Sequence, residues 1–280
     1  GRADHRFGFP FWLPRVLSRW KTRFAGARLT VFVHEVPGKL PISSRHYWLG
    51  RLSEAVLRRL AVVADELITN TEHHAAELST ISGGRVVSIM PIGSNIEAGS
   101  DVHEESRSRG EFVVFGLPFG RLQTLQKFDQ HITRWRAAGL LQQLHIIGPD
   151  GEVFAAQADA LISRWSASDF VMRHGVLSSA DVARMLRRAQ FALTNATAET
   201  WSKSGAFMAC AANGCPMVIT ERASGGPLIH TIAATEVDSM SPGEAESRAA
   251  KLKAWYDANA DWPVVAAKVM SLVRRESVAA

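Results

Sequence analysis

The sequence predicts an α/β protein made of two parallel-sheet domains, the first of them incomplete. Three observations predict it. Short apolar, β-branched runs alternate with helical stretches from Leu29 onward, the pattern of parallel strands joined by right-handed crossovers. The alternation pauses once, at the charged stretch 97–110 (EAGSDVHEESRSRG), and then restarts; such a stretch reads as a linker. Strand ends in the second half carry glycines, which allow close approach of backbone or ligand. The expected division is 1–98 and 99–280.

The elements follow in order. Residues 1–28 mix Phe7, Phe9, Phe11, Trp12 and Trp20 with Arg15, Arg19, Lys21, Arg23 and Arg28. Such a segment can lie on an anionic bilayer or pack on its own domain through Trp12 and Trp20; the second reading is preferred, and the two are compatible if only one face is buried. Leu29 to Val33 is a strand, with His34 and Glu35 at its carboxyl end, where open α/β sheets bind ligands. His34 is thus a candidate site residue, and equally a structural histidine. Tyr47 to Val63 is helical, Glu66 to Thr69 a strand, and Asn70-Thr71 caps a helix from Glu72. His73 and His74 read as surface residues, because adjacent helical positions do not share a face. Val86 to Met90 closes the first half.

Beyond the linker, strands are expected at 112–115, 144–147, 170–173, 191–194 and 217–220, with helices near 122–138, 152–164, 179–189 and 203–212 and closing helices at 244–259 and 263–275. Turns marked by Gly116, Gly148 and His174-Gly175 line one sheet edge. The stretch 193–220 concentrates the chemistry. A strand leads into a polar loop carrying Glu199, and Lys203, Ser204 and Gly205 open a small-residue helix. Asn213-Gly214 stops it. Free amides and the helix dipole at that N-terminus attract an anion, and a lysine and a serine beside it suit a diphosphate. An ordinary strand–helix unit with a solvated lysine fits the same residues.

Composition narrows the partners. The 280 residues are 46% hydrophobic and carry a net charge of +5, which points to an anionic partner: nucleic acid, a phosphorylated metabolite or an acidic membrane surface. Cys210 and Cys215 are the two cysteines, consistent with a reducing cytoplasm. No metal-ligand spacing, zinc motif, RNA-recognition motif or G-x-S-x-G is present, so neither a metal site nor nucleic acid is expected. No apolar run is long enough to span a bilayer. The chain opens at Gly1 without methionine, which reads as a fragment.

The order of these features resembles the retaining, nucleotide-sugar-dependent glycosyltransferases of the GT-B fold, in their glycosyltransferase family 4-like branch, whose fold is two Rossmann-like domains. The likeness lies in Val31 to Glu35 (VFVHE), Ala64 to Glu72 (ADELITNTE), Val87 to Ile96, Phe112 to Gly116, Leu144 to Gly148, Gly175 to Val182 and Glu199 to Val218. It departs in three places. Phe207 stands eight positions after Glu199, where the family has a second glutamate. The basic pair Arg121 and Lys127 is shifted. The first strand and glycine-rich loop of the first domain are absent.

The resemblance implies transfer of a sugar from a nucleotide diphosphate to a hydroxyl of a glycan or lipid-linked acceptor, with no cofactor beyond the donor itself. Arg121, Lys203 and the Ser204-Gly205 amides, with Gly116 beside them, would bind the diphosphate. Glu199 would hold the donor sugar, and His34 would contact it from the other domain. The aromatic-basic opening adds membrane-surface contact and a peripheral location. A catalytically idle nucleotide-sugar-binding subunit is the rival reading.

Overall fold

The computed structural model describes residues 10–37, 41–44, 46–98, 106–165 and 168–274. Phe7 and Phe9, and residues 99–105 of the expected linker, lie outside the described residues. The chain forms two compact units, residues 1–91 with 265–280 and residues 92–264.

In the first unit, helix α1 (Leu13–Arg23) precedes strand β1 (Thr30–Val33), α2 (Tyr47–Val63), β2 (Glu66–Thr69), α3 (Glu72–Ile81) and β3 (Ser88–Ile89). The three strands form a parallel sheet in the order β1-β2-β3. Val33, Leu57, Ala61, Leu67 and Leu78 make its core. The end of α2 is closed by Arg85, whose guanidinium donates to the carbonyls of Ala61, of Ala64 at 2.8 Å and of Asp65 at 2.7 Å. A cation there satisfies orphan carbonyls and faces the negative end of the helix dipole. Thr71 caps α3, its hydroxyl accepting the His74 amide at 3.0 Å.

Three sequence expectations fail in this unit. The strand expected at Val86 to Met90 shortens to Ser88–Ile89, with Val86 exposed. His74 is buried, not a surface residue, because it stands one turn before the buried Leu78 on the inner face of α3; His73 is the exposed one. Trp12 and Trp20 do not pack α1 onto its domain, being 53% and 40% exposed. The helix is seated instead by buried Pro14 and half-buried Leu17. Lys21 pins it, donating to the Val63 carbonyl at 3.1 Å and to Asp65 at 2.7 Å.

The second unit runs β4 (Ser108–Phe115), α4 (Pro118–Ala137), β5 (Gln143–Ile147), α5 (Glu152–Ile162), β6 (Val171–Gly175), α6 (Ser179–Arg188), β7 (Ala189–Leu193), α7 (Gly205–Ala212), β8 (Met217–Ile219), β9 (Ile232–Ala233) and α8 (Pro242–Asn259). The last helix, α9 (Trp262–Arg274), returns the chain to the first unit, where Leu272 packs with Ile68 and Met90. All six strands are parallel, in the order β6-β5-β4-β7-β8-β9. Both faces are covered, which is why these strands read as continuous apolar runs. Phe112 and Val114 point into one layer with Leu125, Phe128 and Trp135 of α4. Val113 points into the other with Val182 and Leu186 of α6 and Phe207 and Met208 of α7.

The second unit moves several boundaries by a few residues, and three of the shifts have a visible cause. β4 begins inside the expected linker, drawn in by its neighbours: Gln142 donates to the Gly110 carbonyl at 2.8 Å and Gln190 accepts the Gly110 amide at 2.6 Å. His174 and Gly175 belong to β6 rather than to a turn, since the Gly175 carbonyl accepts the Gly148 amide at 2.8 Å. Helix α4 starts four residues earlier than expected, at Pro118, whose ring presets the first helical φ. That early start carries Arg121 into the helix.

Candidate functional site

The sheet of the second unit reverses its winding between β4 and β7, the neighbours at its centre. Ligands of open α/β sheets bind beyond the carboxyl ends of strands at such a point. Two structures stand there. One is the tip of α7, the other a cleft beside it.

At the tip, Ser204 is the N-cap and its hydroxyl accepts the Phe207 amide at 3.2 Å. The amides of Gly205 and Ala206 have no acceptor among the described residues. Gly205 is exposed, and a Cβ there would meet nothing within 4 Å. Gly116, in the turn after β4, has φ +139°, and a Cβ on it would lie 3.3 Å from Cβ of Ala206. The structure thus brings Gly116, Ser204 and Gly205 together. Lys203 closes a short 3-10 turn just before the tip and is half-buried. That turn is fixed by the Ile92 amide on the Ser202 carbonyl at 3.0 Å, and by Trp201 set edge-on to Trp255 at 5.2 Å.

The cleft, about 720 Å³, is walled by Lys127 and His131 of α4, by Ala196 to Glu199 after β7 and by Ile219 to Ala223 at the end of β8. Glu199 is exposed and held in a tight turn. Thr197 donates its hydroxyl to Glu199 Oε2 at 2.6 Å, and the Trp201 amide closes on the Thr197 carbonyl at 3.0 Å. Asn195 ties the loop to α4, donating to Gln123 at 3.0 Å. The Thr197 hydroxyl, then Glu199's own amide, hold this carboxyl below the usual glutamate range, so at neutral pH it is a carboxylate that only accepts hydrogen bonds. His131 stacks on Trp135 with ring centres 5.4 Å apart. Burial, then Arg134, lowers its pKa, which keeps the ring neutral at pH 7. Lys203, Ser204, Gly205 and Gly116 do not line this cleft. Lys127, the second member of the basic pair, does, and the sequence gives no local sign that it would outrank Arg121.

Arg121 is not available as a diphosphate ligand. Its side chain is fully buried. It donates to the Gly148 carbonyl at 3.0 Å, to the Pro149 carbonyl and to Asp150 at 3.2 Å, and lies over the Phe154 ring at 4.2 Å. It is the clasp of the β5–α5 turn. Arg121→Met is expected to cost about 2–4 kcal/mol, chiefly by stranding buried carbonyls, with ligand affinity of the folded protein unchanged; chemical denaturation and titration calorimetry measure the two.

In the first unit, His34 is exposed at the end of β1. Its Nδ1 lies 2.7 Å from Oδ1 of Asn70, a fully buried residue. The Asn70 Nδ2 donates to the Met90 carbonyl at 3.2 Å, so its Oδ1 is the atom facing the ring. In the neutral ring His34 Nδ1 then carries the proton and Nε2 is the acceptor. Imidazole ¹⁵N shifts should show the Nδ1–H form in the native chain, and Asn70→Leu should restore the Nε2–H form. Among the described residues no three His, Cys, Asp or Glu side chains are grouped to hold a metal ion. No helix among them is long and apolar enough to cross a membrane.

No family model matches the chain, and no curated protein matches it in sequence. Solved structures do match. The UDP-forming α,α-trehalose-phosphate synthase of Burkholderia xenovorans superposes with a TM-score of 0.68 at 12% identity, over 97% of this chain and 79% of that one. The chain has the fold of GT-B glycosyltransferases. Sucrose-phosphate synthase of Thermosynechococcus elongatus gives 0.66 at 14% identity, over 95% and 71% of the two chains. HepE of Anabaena, solved with UDP and glucose, gives 0.62 at 11%, over 95% and 76%. This GT-B-type chain has Glu199 and Lys127 in one cleft, and Gly116 at the tip of α7.

Proposed function

We propose that this chain transfers a sugar from a nucleotide diphosphate to a hydroxyl of a glycan or lipid-linked acceptor, in polysaccharide or glycolipid synthesis. The observation that carries the reading is Glu199: a carboxylate pinned by Thr197, sharing a cleft with Lys127 at the carboxyl edge of the sheet. The carboxylate holds sugar hydroxyls and orients the ring. In the transfer, the bond from the anomeric carbon to the diphosphate breaks and a bond to the acceptor oxygen forms. The acceptor proton passes to the departing phosphate. Charge gathers on that diphosphate, and preorganised cations and amides stabilise it. Lys127, Lys203 and the Gly205 and Ala206 amides fill that role. Glu199 is the carboxylate assigned to the sugar, in a retaining transfer, and Glu221 lines the same cleft. His34 is the first unit's candidate residue for the reaction, with Nε2 as its accepting atom.

Support comes from solved structures titled as a sucrose-phosphate synthase and a UDP-forming trehalose-phosphate synthase, and from one in complex with UDP and glucose. A thermal-shift screen with UDP-, GDP-, ADP- and dTDP-sugars tests the reading. One base should raise Tm by about 5–10 °C at a hundredfold excess over Kd. No shift with any of them would overturn it.

One observation favours the idle-subunit reading. Phe207, where the family has a second glutamate, is fully buried and packs on Trp201 with ring centres 6.2 Å apart. The same fold also occurs in a structure titled as the N-terminal domain of a trehalose-6-phosphate phosphatase from Candida albicans. A thermal shift without product formation selects this reading.

A further inference from the structure

Helix α1 leaves an apolar stripe in solvent. Trp12, Val16 and Trp20 stand four residues apart, and Phe24 follows the helix end; they are 53%, 49%, 40% and 50% exposed. Residues at that spacing stack on one face. Trp20 and Phe24 touch, with ring centres 5.9 Å apart. Beside this stripe runs a second one of exposed Arg15, Arg19 and Arg23, with Arg23 over the Phe24 ring at 5.8 Å. The opposite face is committed: Pro14 is buried, and Lys21 is bound to Val63 and Asp65. Rotating the helix to hide the tryptophans would break those bonds.

We propose that α1 is a membrane-surface anchor, which lays Trp12, Val16, Trp20 and Phe24 into the headgroup boundary of an anionic bilayer. The chemistry selects that partner. Tryptophan favours the interface between water and acyl chains, and a basic row beside an apolar row is the pattern of a helix lying in that plane. The helix has 11 residues, too few to span a bilayer, so it binds flat. A second copy of this face is a poor partner, because symmetric pairing would set one arginine row against another. Nucleic acid is a poor one too, since Val16 in mid-stripe offers no ring for a base to stack on. The anchor stands apart from the transfer reaction and does not depend on it.

The test is co-sedimentation of the whole chain with vesicles of phosphatidylcholine, with and without phosphatidylglycerol, at low and high salt. Binding is expected only to the anionic vesicles, falling with salt, with the tryptophan emission shifting to the blue. Each arginine near an anionic surface contributes about fivefold, so Arg15→Gln with Arg19→Gln and Arg23→Gln should weaken binding about a hundredfold. Trp12→Ser with Trp20→Ser should abolish the blue shift. These side chains are exposed, and unchanged circular dichroism would show that both variants fold. Equal binding to neutral vesicles, binding to single-stranded RNA in place of vesicles, or a dimer that the tryptophan variant dissolves would each overturn the proposal.

Discussion

Gly148→Ala is expected to destabilise the second unit by roughly 2–6 kcal/mol, from backbone strain and overpacking together. Gly148 sits at the end of β5 with φ +134°, a region that side chains rarely enter. A Cβ there would stand 2.2 Å from the Gly116 carbonyl oxygen, which is backbone and cannot swing away. The same turn supplies two carbonyls to the buried Arg121, so any shift also disturbs that clasp. A typical domain is stable by about 5–15 kcal/mol, and the loss would consume much of it. Gly120→Ala is the control. Gly120 lies within α4, and a methyl group added to it would meet nothing within 4 Å; alanine there should gain up to about 1 kcal/mol of helix propensity. Urea midpoints of the two variants decide the matter; equal midpoints would refute the packing described.

Glu199→Ala and Lys127→Ala are each expected to lower kcat/KM for sugar transfer by on the order of 10²–10³, the size seen when one preorganised charge-stabilising group is removed. The two differ in how the loss divides. On the proposed mechanism Lys127 would face charge that grows as the diphosphate departs, so its loss should fall on kcat. On the same proposal Glu199 would hold sugar hydroxyls before and during transfer, so its loss should raise KM as well. Thr197→Val offers a gentler probe. Without the Thr197 hydroxyl, which does most to depress the Glu199 pKa, that pKa rises toward its ordinary value. Protonation then sets in at higher pH, and the acid limb of the rate profile should move upward. Unchanged rates in both alanine variants would remove the site assignment while leaving the fold untouched.

The strands and helices were legible because their cores impose periodicity. Tyr47–Val63 and Glu66–Thr69 follow the expected bounds to the residue, since burial on one face of a helix, or both faces of a strand, selects residue type directly. Polar residues carry weaker information. Ser108–Gly110 looks like linker by composition, yet it pairs as strand because β5 and β7 offer partners on both sides. Arginine is the sharpest case. The sequence reading picks Arg121 rather than Lys127 as a diphosphate ligand, and packing separates the two: one is sealed under Phe154, the other opens into the cleft with Glu199.

By itself, the sequence determined the two parallel-sheet halves, the strand order of chemistry along the chain and the candidate carboxylate at Glu199, because these depend on local pattern and on which residue types sit at strand ends. The tertiary structure alone decided which cation is accessible, which tautomer His34 holds through Asn70, and that Trp12 and Trp20 face solvent. Each of those depends on contacts between residues distant in the chain, such as Lys21 with Asp65 or Arg121 with Gly148. A side chain's identity states what it can bind; its neighbours in space decide what it does bind.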